Sequence, residues 1–118
     1  MSYRINYDEK ERIFEIKFSG RWTKENVETL ASNMVDLPGK RTAGVLIDFR
    51  EIEGRLALAD AFNSVVRFPP EQRSRKTALL DREENLRVLS FLEMTAQNRG
   101  IPLRWFRTKK EAIVWLRS

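Results

Sequence analysis

The chain has 118 residues, 42% apolar and 33% charged, with a net charge of +5 and neither cysteine nor histidine. That length fits one domain, and such a chain buries roughly two-thirds of the surface its unfolded form exposes, so it needs no covalent or metal staple. The missing residue types exclude a disulfide framework, a thiol nucleophile, a cysteine-ligated metal, and the usual histidine base and metal ligand.

Tyr3, Ile5 and Tyr7 alternate with Arg4 and Asn6, which predicts a strand with one wet face. After the charged turn Asp8-Glu9-Lys10-Glu11, a second alternation sets Phe14, Ile16 and Phe18 against Ile13, Glu15 and Lys17. Together they predict an antiparallel hairpin, ended by Gly20. Thr23 has N-cap chemistry, and Val27, Leu30, Ala31 and Met34 fall on one helical stripe that stops at Leu37-Pro38-Gly39. The nearly unbroken apolar run from Ala43 to Phe49 predicts a central parallel strand, since a strand covered on both faces needs no alternation.

Arg50 to Arg55 is expected to be a short loop containing Gly54. Leu58, Phe62, Val65 and Val66 then form a helical face with Asp60, Asn63 and Arg67 opposite, and Pro69-Pro70 ends that element. Lys76 to Leu80 reads as a short strand. Asp81 and Glu84 have capping-box spacing for a helix running to Arg99, with Gly100 as its stop. Leu103 to Arg107 is the last strand, and Thr108 with Glu111 repeats the capping box before a final helix carrying Ala112, Ile113, Trp115 and Leu116. The order β-β-α-β-α-β-α-β-α predicts a single α/β domain over residues 1–118. Its five-stranded mixed sheet has an N-terminal antiparallel hairpin and then parallel strands joined by right-handed crossovers.

Two segments carry a family resemblance. One is Leu46-Ile47-Asp48-Phe49-Arg50-Glu51-Ile52-Glu53-Gly54. The other is the tail from Arg104-Trp105-Phe106 to Glu111-Ala112-Ile113-Val114-Trp115-Leu116. Together with the element order, they resemble bacterial SpoIIAA-like proteins. These are relatives of the STAS domain (sulfate transporter and anti-sigma-factor antagonist), also compared with the CRAL-TRIO lipid-binding fold. The resemblance implies a small regulatory or ligand-binding module, often dimeric. Antagonists of that class carry a phosphorylatable Ser or Thr after the central strand. This chain has none between Arg50 and Asn63 and places Glu51 and Glu53 there instead, so the phospho-switch is not carried over.

Ligands of open α/β sheets bind beyond the carboxyl ends of the strands. The strand-end candidates are therefore Arg50, Glu51, Glu53, Arg55 and Asp81, with Asp48 beside them. Paired carboxylates there could do acid–base work, and Gly54 between Arg50 and Arg55 could meet an anion. No nucleophile, metal-ligand spacing or glycine-rich phosphate fingerprint accompanies them. A capping aspartate, solvated glutamates and a turn glycine are the plainer reading, so no catalytic residue, metal or cofactor is expected.

On the helix after Asp81, Val88, Leu89, Leu92 and Ala96 share a face expected to pack on the sheet, while Phe91 and Met94 fall off it. That pair suits a second subunit, a protein partner or a small apolar ligand, unless the last helix with Trp115 covers it. The basic excess sits late. Residues 67–82 carry net +3 and residues 99–118 net +5, against −1 for residues 1–66 and −2 for residues 83–98. Arg73, Arg75, Lys76, Arg104 and Arg107 are the candidate nucleic-acid patch, although a solvated face explains them as well and no recognition motif accompanies them. Trp22, Trp105 and Trp115 are expected in the core, with Trp105 and Phe106 on opposite sheet faces. The N-terminus lacks a signal-peptide stretch and no run has membrane-span length, so a cytoplasmic location is expected. The leading expectation is a homodimeric, non-enzymatic interaction module. A carrier of an apolar or amphiphilic molecule and a weak nucleic-acid binder are the alternatives.

Overall fold

The computed structural model describes residues 2–23, 25, 44–54, 58–66 and 75–118. Five strands form one sheet in the order β1-β2-β3-β4-β5. They are β1 (Ser2–Asp8), β2 (Ile13–Arg21), β3 (Gly44–Glu53), β4 (Thr77–Leu80) and β5 (Leu103–Phe106). β1 and β2 are antiparallel and every later pair is parallel, as the alternating hairpin and the solid apolar run predict. Helices α1 (Leu58–Val66), α2 (Leu86–Asn98) and α3 (Lys109–Leu116) complete the described elements. The helix expected after Thr23, with Val27, Leu30, Ala31 and Met34, lies outside the described residues, as do Arg67 and Pro69-Pro70.

Strand order that follows chain order sends successive right-handed crossovers to the same side of the sheet. Accordingly α1 and α2 share a face. Val65 of α1 and Leu89 and Ala96 of α2 join Phe14, Ile16, Phe18, Val45, Ile47, Phe49, Leu79 and Leu103 in the larger core, with Val88, Leu92 and Trp105 packed against it. The last helix follows β5 and turns to the other face. There Ala112 and Leu116 pack with Ile13, Leu46, Ala78 and Leu80, and Phe106 and Trp115 adjoin them. Trp105 and Phe106 therefore serve opposite faces. Gly44 sits where α3 crosses β3, and a Cβ built there would lie 2.6 Å from the Leu116 Cδ2 atom and 3.2 Å from the Lys76 carbonyl oxygen.

Three local expectations need correction. β2 does not end at Gly20, which adopts a φ of 96° and still pairs with Ile52 before the strand closes at Arg21. The expected loop from Arg50 is strand as far as Glu53, because the pairing continues past an irregularity between Lys17 and Ser19 and buries Ile52. The expected capping box at Asp81 does not form. Arg82 precedes a 3-10 turn (Glu83–Asn85) with no side-chain cap, and Glu84 instead pairs with Arg82 at 2.9 Å. The Thr108 cap does form, its side chain accepting the Glu111 N–H.

Candidate functional site

The strand-end candidates separate into local pairs. Asp48 is buried on the β3 face that carries α3, and Arg50 stands two residues on, on the same side. Arg50 donates from Nε to Oδ1 at 3.1 Å, from Nη2 to Oδ2 at 3.0 Å and from its backbone N–H to Oδ1 at 3.0 Å. Burial by itself raises the Asp48 pKa. The Arg50 hydrogen bonds and the positive charges of Arg50 and Lys17 outweigh it, so the net shift is downward. Arg50 is held above its ordinary value, first by its bond to Asp48. The pair is thus a structural ion pair in which neither group is poised to exchange a proton near neutrality.

Glu51 and Glu53 are strand residues on either side of buried Ile52, and Glu51 meets Lys17 at 3.7 Å. Asp81 is buried, and its Oδ1 accepts the Arg82 N–H at 2.7 Å and the Asn85 amide at 3.3 Å. Its carboxylate is held in the turn that opens α2. Nearby, Arg107 pairs with Glu83 at 3.1 Å and Arg82 reaches the Ile52 carbonyl at 3.4 Å. Gly54 follows β3 with a φ of 77°, which fits the turn reading; Arg55 lies outside the described residues. Among the described residues, no group of three or more acidic, His or Cys side chains could hold a metal ion.

The basic candidates do not make one patch. Arg73 lies outside the described residues. Arg75 is buried, with its guanidinium 5.6 Å from the centre of the Phe14 ring, and burial lowers its pKa. Lys76 closes the carboxyl end of α3, where its Nζ donates to the Trp115 carbonyl at 3.1 Å and to Ser118 at 2.6 and 2.9 Å. A cation there complements the negative end of the helix dipole. Arg104 lies over the Phe106 and Trp115 rings and pairs with Glu93 at 3.7 Å.

On α2, Val88, Leu89, Leu92 and Ala96 form the inner face. Met94 is 54% exposed and Phe91 half-buried. Trp115 does not cover them, since α3 lies on the opposite side of the sheet. A groove of about 430 Å³ runs along α3 between Arg104, Lys110, Glu111, Val114, Trp115 and Ser118. Apart from half-buried Trp115 these residues are exposed, so an apolar ligand there would stay largely wet, unlike one in an enclosed pocket.

Sequence reasoning missed Glu93. Its carboxylate accepts the backbone N–H of Trp105 at 3.3 Å, takes the Gln97 amide at 3.3 Å and pairs with Arg104. Its place beside the Leu89 stripe was the available signal. Its partner, a free N–H on the edge strand, has no sequence signature.

The SpoIIAA-like family model matches residues 13–117. No curated protein matches. Among solved structures, an uncharacterised protein with a SpoIIAA-like fold from Shewanella loihica PV-4 is similar. It is 21% identical, with 98% of this chain and 92% of that chain covered and a TM-score of 0.58. An anti-sigma factor antagonist from Mycobacterium paratuberculosis is 12% identical, with 99% and 94% covered and a TM-score of 0.56. At these identities the two structures establish the shared fold.

Proposed function

Because this chain belongs to the SpoIIAA-like family, we propose that it is a non-catalytic regulatory module, itself a homodimer, that docks a partner protein on the outer face of α2. The observation that carries this reading is the apolar exposure on that helix. Met94 is 54% exposed, half-buried Phe91 lies three residues before it as a neighbour on the helix surface, and Leu86 at the start of the helix is 44% exposed. Exposed apolar side chains on a helix favour a partner groove or helix, and methionine adapts its shape to such a contact.

The paired strand-end charges support the non-catalytic part. Asp48 with Arg50, Glu51 with Lys17, Glu83 with Arg107 and Glu84 with Arg82 already answer one another. The likeness to an anti-sigma factor antagonist points to the same class of work, although this chain has no Ser or Thr between Arg50 and Asn63 to serve a phospho-switch.

Native mass spectrometry on protein purified from its own cells is the first test. The expected assembly has twice the chain mass of 13.9 kDa and no adduct. A mass excess lost on denaturation would replace this reading with a carrier of a small molecule. Met94→Asp is expected to leave the unfolding midpoint unchanged and to abolish retention of a partner that the immobilised wild-type chain retains. A partner held equally by both chains would remove α2 from the reading.

A further inference from the structure

We propose that two copies of this chain join edge to edge through β1, antiparallel about Ile5, to make one continuous ten-stranded sheet. This rests on the homodimer part of the reading above and adds the surface that forms it. A sheet edge presents unpaired N–H and C=O groups, and proteins shield such edges unless they use them. The two edges of this sheet differ in that respect. β5 has only four residues, and the Glu93 carboxylate occupies its Trp105 N–H while Arg104 is drawn back to Glu93 and the Phe106 and Trp115 rings. β1 has seven residues, pairs with β2 without a register shift, and meets no other strand among the described residues. Five of its residues are exposed, among them Tyr3 at 39% and Ile5 at 40%.

The residues of β1 complement their own copy. A two-fold axis between antiparallel strands sets a residue opposite itself and keeps each side chain on its own face. With Ile5 on the axis, all seven residues of the strand find partners. Ile5 meets Ile5 of the second copy, Tyr3 meets Tyr7, Arg4 meets Asn6 and Ser2 meets Asp8. One face then carries an unbroken Tyr-Ile-Tyr ladder, a cross-strand combination that stabilises sheets. On the other face Arg4 is opposite an amide and one step from Asp8 of the second copy. An axis one residue earlier would set Arg4 against Arg4, like charges directly opposed.

The test uses the position that faces itself. Ile5→Lys and Ile5→Glu each place like charges on the axis. Each is expected to raise the dimer dissociation constant on the order of 100-fold, since two buried isoleucines are also lost. An equimolar mixture of the two variants should form a heterodimer, read by native mass spectrometry. Amide exchange on the wild-type chain supplies a second readout, with residues 2–8 protected in the dimer and faster on dilution to monomer. Ile5→Lys that stays dimeric, or residues 2–8 exchanging equally fast in dimer and monomer, would overturn the β1 assignment and leave the homodimer standing. A wild-type chain monomeric at all concentrations would overturn both.

Discussion

Asp48 is 1% exposed and still carries its charge, because Arg50 reaches it with two side-chain hydrogen bonds and a backbone N–H. Its folded pKa lies below the ordinary 3.8, so the folded chain binds this proton less tightly than the unfolded chain. The stabilisation is therefore present above pH 3.8 and is lost as pH falls from there through the folded value. Asp48→Asn should cost about 1.5–3 kcal/mol near pH 7, the range for hydrogen bonds to charged groups. It should also flatten the acid limb of the stability curve. Urea unfolding at pH 7 and pH 3 checks this, and an Asn variant as stable as wild type at pH 7 would show the pair to be neutral. Asp48 was visible in the sequence as a carboxylate next to an arginine. That the pair is buried and closed on itself was not, because burial depends on β2 and β4 lying on either side.

At the level of elements, the two capping motifs read alike and fold differently. Thr108 caps α3 through the Glu111 N–H at 3.3 Å. Asp81 instead binds the N–H of the very next residue, and the chain makes a 3-10 turn before α2 begins. Thr108→Ala should destabilise the chain by about 1 kcal/mol, the usual cost of losing such a cap. Thermal or urea unfolding checks it, and no loss would mean that Lys76 at the opposite end holds α3 alone. The length of β3 was hidden for a related reason. The apolar run that predicts the strand stops at Phe49, whereas the irregularity between Lys17 and Ser19 brings Ile52 back to the face of Val45, Ile47 and Phe49 one residue out of phase.

Across the whole molecule, the late basic excess is a sum over residues that face different ways. Arg75 is buried against Phe14, Lys76 closes α3, Arg104 lies on the aromatic rings beside Glu93, and Arg107 pairs with Glu83. A nucleic-acid surface needs cations gathered along one track. Fluorescence anisotropy with single- and double-stranded probes at low salt is expected to show no binding. Tight binding that collapses with added salt would restore the nucleic-acid reading. The same view of the molecule explains why α3 does not cover α2. Two crossovers in an ordered sheet put α1 and α2 together, and α3 has only the other face to occupy.

The sequence alone determined the order of the described elements, the hairpin, the central place of β3 and the inner stripe of α2. These follow from local periodicity, which is a property of neighbouring residues. Tertiary structure alone decided which charges meet, which sheet edge is shielded and which helix surface remains open. Arg104 and Glu93, or Lys76 and Ser118, are brought together only when helices settle on opposite faces of one sheet. No spacing along the chain encodes that choice.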